Sequence, residues 1–322
     1  MPLDSLYTPI LEDMRAVDAV IRARLHSDVV LIRQVAEYII GAGGKRMRPA
    51  LVLLSAGATG YHGSAHHELA AVVEFIHTAT LLHDDVVDES DLRRGRKTAN
   101  ALFGNAASVL VGDFLYSRSF QMMVGVGSMP VMRVLADATN TIAEGEVLQL
   151  LNCHNAAVGI DDYLRVIRYK TAKLFEAAAR IGAILGGAPA AAQDGLARYG
   201  MHLGTAFQLI DDVLDYSGDE RSTGKHLGDD LAEGKPTLPL IHVLQHGSPA
   251  QSACVRSAIE HGGKEAFAQI LDAVRSTGAI EETRRRAESE MKLGVAALAG
   301  LPHSTHLQSL LDLAAFAVGR DH

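Results

Sequence analysis

The sequence predicts an all-α fold, and three observations lead to that prediction. Ala, Leu, Glu, Arg and Gln, which favour helices, dominate nearly every segment of the 322 residues. Apolar residues recur with the period of a helix. Alternating runs of β-branched residues between turn residues, which are typical of strands, are scarce. We therefore expect helices of about 12 to 25 residues each.

Short stretches rich in glycine, proline or polar residues separate the predicted helices. These breaks lie at residues 41–44, 60–63, 94–97, 125–130, 158–161, 186–189, 217–235 and 247–249. We find no repeat of fixed period, no low-complexity tract and no linker that would divide the sequence. The sequence therefore predicts one domain over residues 1–322, built as a single large helical bundle.

Composition narrows the class of protein. Hydrophobic residues make up 48% of the chain, which is enough to bury a substantial core. The net charge of -8 offers no basic surface for nucleic acid. Two cysteines, Cys153 and Cys254, indicate no disulfide framework and suit a reducing compartment. Because we see neither a secretory signal nor an apolar run of about 20 residues, we expect a cytoplasmic protein without a transmembrane segment.

Two clusters of aspartate with the spacing D-D-x-x-D carry the strongest functional signal. On a helix the first and fifth positions of this motif lie about 40° apart, so their carboxylates share one face and repel each other. A divalent cation with oxygen ligands removes that cost, and Mg²⁺ shared with substrate phosphates fits best. The duplication suggests two helices that face each other across a charged ligand. The clusters are Asp84, Asp85 and Asp88, and Asp211, Asp212 and Asp215.

The position of each cluster strengthens this interpretation. One cluster alone could be a solvated acidic face or a helix N-cap. Here, however, residues 75–83 and 207–210 form apolar stretches that run directly into the aspartates. The first cluster is therefore expected near the C-terminal end of its helix, where the helix dipole disfavours anions. A bound cation explains that placement.

Basic residues in specific places supply donors for a diphosphate. Residues 43–49 form a flexible basic loop with Lys45 and Arg48, and Pro49 suits the first turn of a helix over residues 50–58. The amide groups and positive dipole at that helix start favour an anion. A solvated surface loop is the alternative interpretation.

Further donors lie close to the first cluster. Arg93 and Arg94 begin five residues after Asp88, and an arginine fork suits phosphate oxygens. His77 precedes Asp84 by seven residues, which places the two about 20° apart on a helix. A histidine on an apolar helix can equally be a core residue, so both interpretations of His77 stay open.

The second cluster also has polar neighbours. Lys170 and Thr171 lie in a predicted helix rich in alanine, where a solvated helix face is the alternative. Gln208 shares a helix face with Asp212 and Asp215. Residues 224–239 form a long polar loop that includes Lys225, and such a loop in a compact domain is usually functional. Its lysines could close over a diphosphate.

With these motifs the chain resembles the trans-isoprenyl diphosphate synthases. The segments G-G-K-R-M-R-P, H-D-D-V-V-D-E-S-D-L-R-R-G, G-T-A-F-Q-L-I-D-D-V-L-D and G-K-H-L-G-D-D-L-A-E-G-K-P-T-L-P-L occur in the order and spacing of that family. The resemblance covers almost the whole chain. Within the family, residues 74–91 and 103–114 are most similar to the bacterial octaprenyl diphosphate synthases, which make the side chain of ubiquinone.

The resemblance implies a helical bundle around a deep central cavity, the isoprenoid synthase fold, and a homodimer. It implies Mg²⁺ as cofactor, up to three ions, with Mn²⁺ as a substitute. The principal metal ligands would be Asp84, Asp88 and Asp211, with Asp85, Asp212 and Asp215 close by. The residues around isopentenyl diphosphate would be Lys45, Arg48, His77 and Arg94. The residues around the allylic diphosphate would be Arg93, Lys170, Thr171, Gln208 and Lys225.

The implied reaction is a prenyl transfer. Metals and cations would help diphosphate leave the allylic substrate, and the alkene of isopentenyl diphosphate would attack the resulting cation. This chemistry needs no nucleophilic serine or cysteine. The residues expected to contribute most to catalysis are Asp84, Asp88, Arg93, Lys170, Asp211 and Lys225.

Product length is expected to depend on the residues one turn before the first cluster. Ala79 and Thr80 occupy the positions where short-chain members of the family resemble one another in carrying a bulky aromatic residue. Small residues there imply an open passage and a long product, although helix packing also favours small residues. Phe120, Met122 and Met123 are candidates for the floor of the passage.

Three alternative functions fit parts of the sequence. A farnesyl or geranylgeranyl synthase is disfavoured by Ala79 and Thr80. Terpene cyclases typically lack a second D-D-x-x-D motif and the G-K-R-x-R-P loop. Non-catalytic subunits of heteromeric synthases typically have degraded aspartate clusters, whereas both are intact here. The final residues 307–322 are expected to form an amphipathic helix that could pack, dimerise or make transient membrane contact for product release.

Overall fold

The computed structural model of the chain describes residues 3–217, 227–263 and 265–320. Helices dominate these residues, so the prediction of an all-α fold is confirmed. The first helices are α1 Leu3–Leu6, a 3₁₀ turn Thr8–Ile10, α2 Leu11–Arg24, α3 Val30–Ile40, α4 Met47–Ala58 and α5 Ala65–Val87. Then follow β1 Leu92–Arg93, β2 Arg96–Lys97, α6 Ala99–Phe103, α7 Asn105–Val126, α8 Met129–Asn152 and α9 Ile160–Ile167. The remaining elements are a π-helix Arg168–Ala172, α10 Lys173–Leu185, α11 Ala190–Ser217, α12 Asp229–Ala232, α13 Leu238–His246, α14 Pro249–His261, α15 Phe267–Ser276, α16 Ala279–Ala297 and α17 Thr305–Gly319.

Most predicted breaks coincide with the ends of helices. The stretches 41–44, 60–63, 186–189 and 247–249 each lie where one helix ends and the next begins. Helix α4 begins at Met47, three residues before the predicted start at residue 50, and Pro49 still lies in its first turn. The predicted loop at 217–235 lies partly outside the described residues, and within it Asp229–Ala232 forms the short helix α12.

The break at residues 94–97 is a small β-hairpin, which the sequence did not predict. Strands β1 and β2 pair antiparallel, with Leu92 opposite Lys97 and Arg93 opposite Arg96. The two turn residues, Arg94 and Gly95, have φ values of 53° and 72°. Positive φ at both central residues is the conformation of tight hairpin turns whose twist matches that of the strands. This turn fixes the position of Arg93 relative to the end of α5.

The chain divides into two compact units. The first contains residues up to Thr139, Leu174–Gly200 and Val295–Leu313. In it, α5 packs against α2, α4 and α7, and Phe75 and Ile76 of α5 are completely buried. A single domain over residues 1–322 stays a prediction.

The second unit contains Asn140–Lys173, Met201–Gly294 and the chain from Ala314. Its core is built from one face each of α13, α14 and α15 against the end of α11. Representative buried side chains are Tyr216, Leu240, Val255, Ile259 and Ile270. Burial of such aliphatic and aromatic side chains contributes about 1.5–3 kcal/mol each.

Among the described residues, no helix is both long enough and apolar enough to cross a bilayer.

Candidate active site

The first aspartate cluster lies at the C-terminal end of α5, as the sequence predicted. Asp84 and Asp85 occupy the last turn, and Asp88 is the C-cap. Glu89 has a φ of 50°, and the amide of Ser90 donates to the carbonyl of Asp85 at 3.0 Å. This pattern is a Schellman motif, which ends the helix sharply. Three carboxylates therefore accumulate at the negative end of a helix dipole, where a cation would stabilise them.

Asp85 is completely buried, whereas Asp84 and Asp88 are half-buried. The Nε and Nη2 atoms of Arg93 lie 2.7 and 2.6 Å from its Oδ1 atom. Its Oδ2 atom is buried and accepts no hydrogen bond from any described residue. Burial raises the pKa of Asp85, and the charges of Asp84 and Asp88 add to that rise, whereas Arg93 opposes it. Arg93 thus bridges the hairpin to the aspartate cluster.

Arg48 and His77 form a close pair in the same unit. The Nη1 atom of Arg48 lies 3.1 Å from Nε2 of His77, and its guanidinium stacks 4.4 Å from the centre of the Phe175 ring. Burial lowers the pKa of His77 well below its usual range, and the charges of Arg48 and Arg94 lower it further. Burial lowers the pKa of Arg48 to about 10, so its guanidinium stays charged at neutral pH. Because arginine can only donate, the neutral imidazole accepts at Nε2 and carries its proton on Nδ1.

The loop before α4 contacts the side chain of Arg94. Gly44 has a φ of 142°, and a Cβ atom there would lie 2.7 Å from Nη1 of Arg94. The backbone of the basic loop and the guanidinium are therefore in direct contact, which only glycine permits. The carbonyl of Lys45 accepts a hydrogen bond of 2.7 Å from the hydroxyl of Tyr7, which anchors this loop. The structure thus brings the basic loop into contact with Arg94, and Arg48 into contact with His77.

Glu74 is a member of this group that the sequence analysis missed. It lies on α5 and is 9% exposed. Its Oε1 atom lies 2.9 Å from the Nη1 atom of Arg46. Its charge raises the pKa of both Arg48 and Arg94 and so offsets part of the effect of their burial. A buried glutamate three residues before a polar histidine on an apolar helix is the signal that could have indicated it.

The second cluster lies near the end of α11, and Asp212 is its buried member at 1% exposure. Asp212 accepts a short hydrogen bond from the hydroxyl of Tyr163 and one of 2.9 Å from Nε2 of Gln208. Burial and the charges of Asp230 and Asp211 raise the pKa of Asp212 to about 8, although the two hydrogen bonds oppose the rise. The predicted shared face of Gln208 and the aspartates is therefore confirmed as a direct contact for Asp212.

Two further charged residues accompany this cluster and were not predicted. The Nη2 atom of Arg320 lies 3.5 Å from Oδ1 of Asp211 and donates at 2.7 Å to the carbonyl of Phe207. Arg320 is 4% exposed, and its guanidinium lies over the Phe207 ring. Asp230, in α12, is close enough to raise the pKa of Asp212. The backbone carbonyl of Asp215 accepts from the amide of Gly228, which ties α12 to the cluster.

Lys170 and Thr171 lie in a π-helix rather than in a regular α-helix. Insertions of this kind often occur at functional sites because they redirect side chains. The Nζ atom of Lys170 lies 2.6 Å from Oε2 of Glu146 on α8, and Thr171 donates to Oε1 of Gln208 at 3.1 Å. Gly145 makes this possible, because a Cβ atom there would lie 2.6 Å from the amide nitrogen of Lys170.

Tyr163→Phe should shift the pH dependence of metal activation. The lost hydrogen bond favours the carboxylate form of Asp212, so its removal should raise the pKa of Asp212 further. At limiting Mg²⁺ we expect the acidic limb of the kcat/KM profile to move up by about 0.4 to 1 pH unit. Saturating Mg²⁺ should suppress the shift, because a cation competes with the proton. Tyr116→Phe is the control, and an unshifted profile in Tyr163→Phe would contradict this role.

The remaining predicted residues are Lys225 and the five residues expected to control product length. Lys225 lies outside the described residues. Ala79 is completely buried on α5, and the Thr80 hydroxyl donates to the carbonyl of His77 at 2.8 Å. On α7, Met122 and Met123 are buried at 2% and 1% exposure, whereas Phe120 is 36% exposed. Their roles in product length stay predictions.

The ligand types in both clusters fit a hard divalent cation. Each cluster offers only carboxylate oxygens, which Mg²⁺ and Ca²⁺ prefer. Asp212 is buried, and the charges of Asp230 and Asp211 add to the effect of burial in raising its pKa. A cation would lower that pKa and relieve the repulsion.

An all-α fold with two D-D-x-x-D clusters, each accompanied by cationic side chains, defines a class of enzyme, the prenyltransferases with the isoprenoid synthase fold. The model of the family described as polyprenyl synthetase matches residues 29–275. The chain therefore belongs to the polyprenyl synthetase family.

Relatives of this chain agree with that assignment. It is 53% identical over 322 residues to the octaprenyl diphosphate synthase of Escherichia coli (strain K12), covering 100% of both chains. A solved polyprenyl synthase from Caulobacter crescentus CB15, complexed with calcium and isoprenyl diphosphate, is 43% identical with a TM-score of 0.97, covering 100% of this chain and 98% of that one. A decaprenyl diphosphate synthase from Rhodobacter capsulatus is 48% identical with a TM-score of 0.94, covering 100% of both chains. The prediction of a long-chain trans-polyprenyl diphosphate synthase is confirmed.

Proposed function

We propose that the chain condenses isopentenyl diphosphate repeatedly, in 1'-4 linkage, onto an allylic diphosphate such as farnesyl diphosphate. We further propose octaprenyl diphosphate, the precursor of a ubiquinone side chain, as its main product. The observation that carries the proposal is the pair of carboxylate clusters, each with cationic residues in contact. The identity of 53% over the full length to an octaprenyl diphosphate synthase supports the product.

We propose Mg²⁺ as the cofactor, up to three ions with Mn²⁺ as a substitute, held principally by Asp84, Asp88 and Asp211. When bound, it neutralises charge on the diphosphate that leaves the allylic substrate. Asp85 and Asp212 act differently, because their side chains are almost completely buried. They orient the clusters and carry negative charge that increases cation affinity.

The cationic residues bind and orient the two diphosphates. Arg48 and Arg94 supply charge for isopentenyl diphosphate, together with Lys45. Neutral His77 donates its Nδ1 proton, because Arg48 occupies Nε2. Arg93, Lys170, Thr171, Gln208 and Lys225 serve the allylic diphosphate, and the π-helix sets the direction of Lys170 and Thr171.

In the reaction, the allylic C–O bond breaks and its electron pair leaves with the diphosphate. The alkene of isopentenyl diphosphate then forms a C–C bond to the allylic carbon. Loss of a proton, accepted by the released diphosphate, restores a trans alkene. The protein contributes alignment of the two substrates and fixed charges around the leaving group.

The product-length distribution tests the proposed product. Purified protein would be incubated with labelled isopentenyl diphosphate, farnesyl diphosphate and Mg²⁺, and the dephosphorylated products separated by chain length. We expect a ladder that ends mainly at eight isoprene units. A ladder that ends at three or four units, or at ten, would overturn octaprenyl diphosphate as the product.

Ala79→Tyr should shorten the product. A phenol ring five residues before Asp84 would obstruct the passage that a growing chain is proposed to follow. The rate of the first condensation should stay within about threefold of wild type, since no diphosphate ligand changes. Thr80→Ala, which removes bulk at the next position, is the control and should not shorten the product. Unchanged product length in a folded Ala79→Tyr variant would contradict the passage.

We also propose a homodimer in the cytoplasm, with transient membrane contact when product is released. Exposed apolar side chains on α7, among them Val109, Leu110 and Val124, support an interface on that helix. Light scattering of the purified protein tests the oligomeric state.

A further inference from the structure

A histidine-rich cluster lies away from both aspartate clusters. Asp13 is in the first turn of α2, and His66 and His67 are in the first turn of α5, which packs against α2. The Nε2 atoms of His66 and His67 lie 3.3 and 2.8 Å from the same atom, Oδ1 of Asp13. One candidate ligand atom from each of the three residues lies within 4.8 Å of the others.

These separations suit a tetrahedral transition-metal site. At zinc–nitrogen and zinc–oxygen distances of about 2.0–2.1 Å, adjacent tetrahedral ligands lie about 3.3 Å apart. The distance of 3.3 Å from His66 Nε2 to Asp13 Oδ1 equals this separation. The distance of 2.8 Å from His67 Nε2 to the same oxygen would have to lengthen slightly when an ion binds. Two imidazoles and one carboxylate are ligands that Zn²⁺ accepts and Mg²⁺ does not favour.

The imidazole of His66 is held in place before any ion binds. It is 8% exposed, and its Nδ1 atom is buried without a hydrogen-bond partner among the described residues. The Tyr61 ring packs edge-on against it at 5.2 Å, and the Tyr61 hydroxyl accepts from the amide of Ala65 at 3.2 Å. Within the described part of the chain, the ring therefore has polar contact through Nε2, the atom that faces Asp13.

We propose that Asp13, His66 and His67 form a binding site for a divalent transition metal of the Zn²⁺ class, with water as the fourth ligand. The site is separate from the catalytic carboxylates, because His66 and Asp84 are about 27 Å apart along α5 at 1.5 Å per residue. A bound ion would cross-link α2 to α5, two helices that the ion pair of Arg24 and Glu68 also joins, with 2.5 Å between its charged atoms. It would stabilise the fold without taking part in prenyl transfer.

Binding of Zn²⁺ in the presence of excess Mg²⁺ tests the proposal, since Mg²⁺ occupies the catalytic carboxylates. Titration against a chromophoric chelator should give one Zn²⁺ per chain in wild type and in the control His62→Ala, whose side chain is exposed in the preceding loop. His67→Ala and Asp13→Asn should each lower the affinity by at least about tenfold. Zn²⁺ should raise the Tm of wild type and of His62→Ala, but not that of His67→Ala.

Co²⁺ provides a second measurement that does not depend on stability. Its visible absorption should show a tetrahedral site with nitrogen ligands in wild type, and this band should weaken in His67→Gln, a variant that keeps side-chain bulk. Equal Zn²⁺ affinity in wild type and His67→Ala, or no Zn²⁺ binding in excess Mg²⁺, would overturn the proposal.

Discussion

Replacing Asp84 or Asp211 by asparagine is expected to slow condensation by about 10²–10³-fold, by analogy with the loss of one preorganised charge-stabilising group. Asparagine keeps the size of the side chain but removes the negative charge that a divalent cation requires. The single-turnover rate with farnesyl and isopentenyl diphosphates is the appropriate measurement, because product release does not limit it. Raising the Mg²⁺ concentration should recover part of the rate.

Asp272→Asn is the matched control, because this aspartate is exposed on α15 and belongs to neither cluster. It should condense at the wild-type rate. Turnover close to that of wild type in Asp84→Asn or Asp211→Asn, with the fold intact, would remove that residue from the proposed set of metal ligands.

Arg93→Ala is expected to cost about 3–5 kcal/mol in the free energy of unfolding, the usual effect of leaving one partner of a buried ion pair alone. Asp85 is completely buried, and its Oδ1 atom is held by two nitrogens of the Arg93 guanidinium. Without that guanidinium, Asp85 must bind a proton or draw in water. Activity should fall as well, because the end of α5 and the hairpin would no longer be held together.

Urea unfolding followed by circular dichroism measures this effect. Arg96→Ala is the control, since Arg96 pairs with Arg93 across the hairpin but is exposed. The double variant Arg93→Ala/Asp85→Asn should recover part of the stability, because it removes the buried charge as well. If Arg93→Ala and Arg96→Ala were equally stable, the ion pair would have no special role.

The sequence predicted much of the site because its strongest signals are local. A D-D-x-x-D motif at the end of an apolar stretch places its carboxylates at a helix end whatever the tertiary structure is. The same holds for Gln208 and Asp212, which are four residues apart on one helix and form a hydrogen bond. Periodicity also sufficed for the all-α fold.

Residues brought in by tertiary packing were not predictable in the same way. Tyr163 and Arg320 reach the second cluster from α9 and from beyond the end of α17, far away in sequence. Neither carries a motif, and an isolated tyrosine or arginine is usually a core or surface residue. Glu74 was missed for a related reason, since its burial depends on Arg46.

Local backbone irregularities were the other feature that the sequence did not predict. The hairpin at Arg93 requires positive φ at Arg94, which arginine seldom adopts. The π-helix that carries Lys170 depends on the close approach of Gly145 from α8. Periodicity over Arg168–Ala172 suggests a regular helix, because one inserted residue barely changes the apolar pattern.

The central claim is that the chain transfers prenyl groups with a divalent cation held by its aspartate clusters. Its most direct test is the incorporation of labelled isopentenyl diphosphate into farnesyl diphosphate by the purified protein with Mg²⁺, with EDTA, and with EDTA followed by excess Mg²⁺. We expect elongation with Mg²⁺, none with EDTA, and full recovery when Mg²⁺ is restored. Elongation that persists in EDTA, or no elongation of any allylic diphosphate with Mg²⁺ present, would contradict the claim.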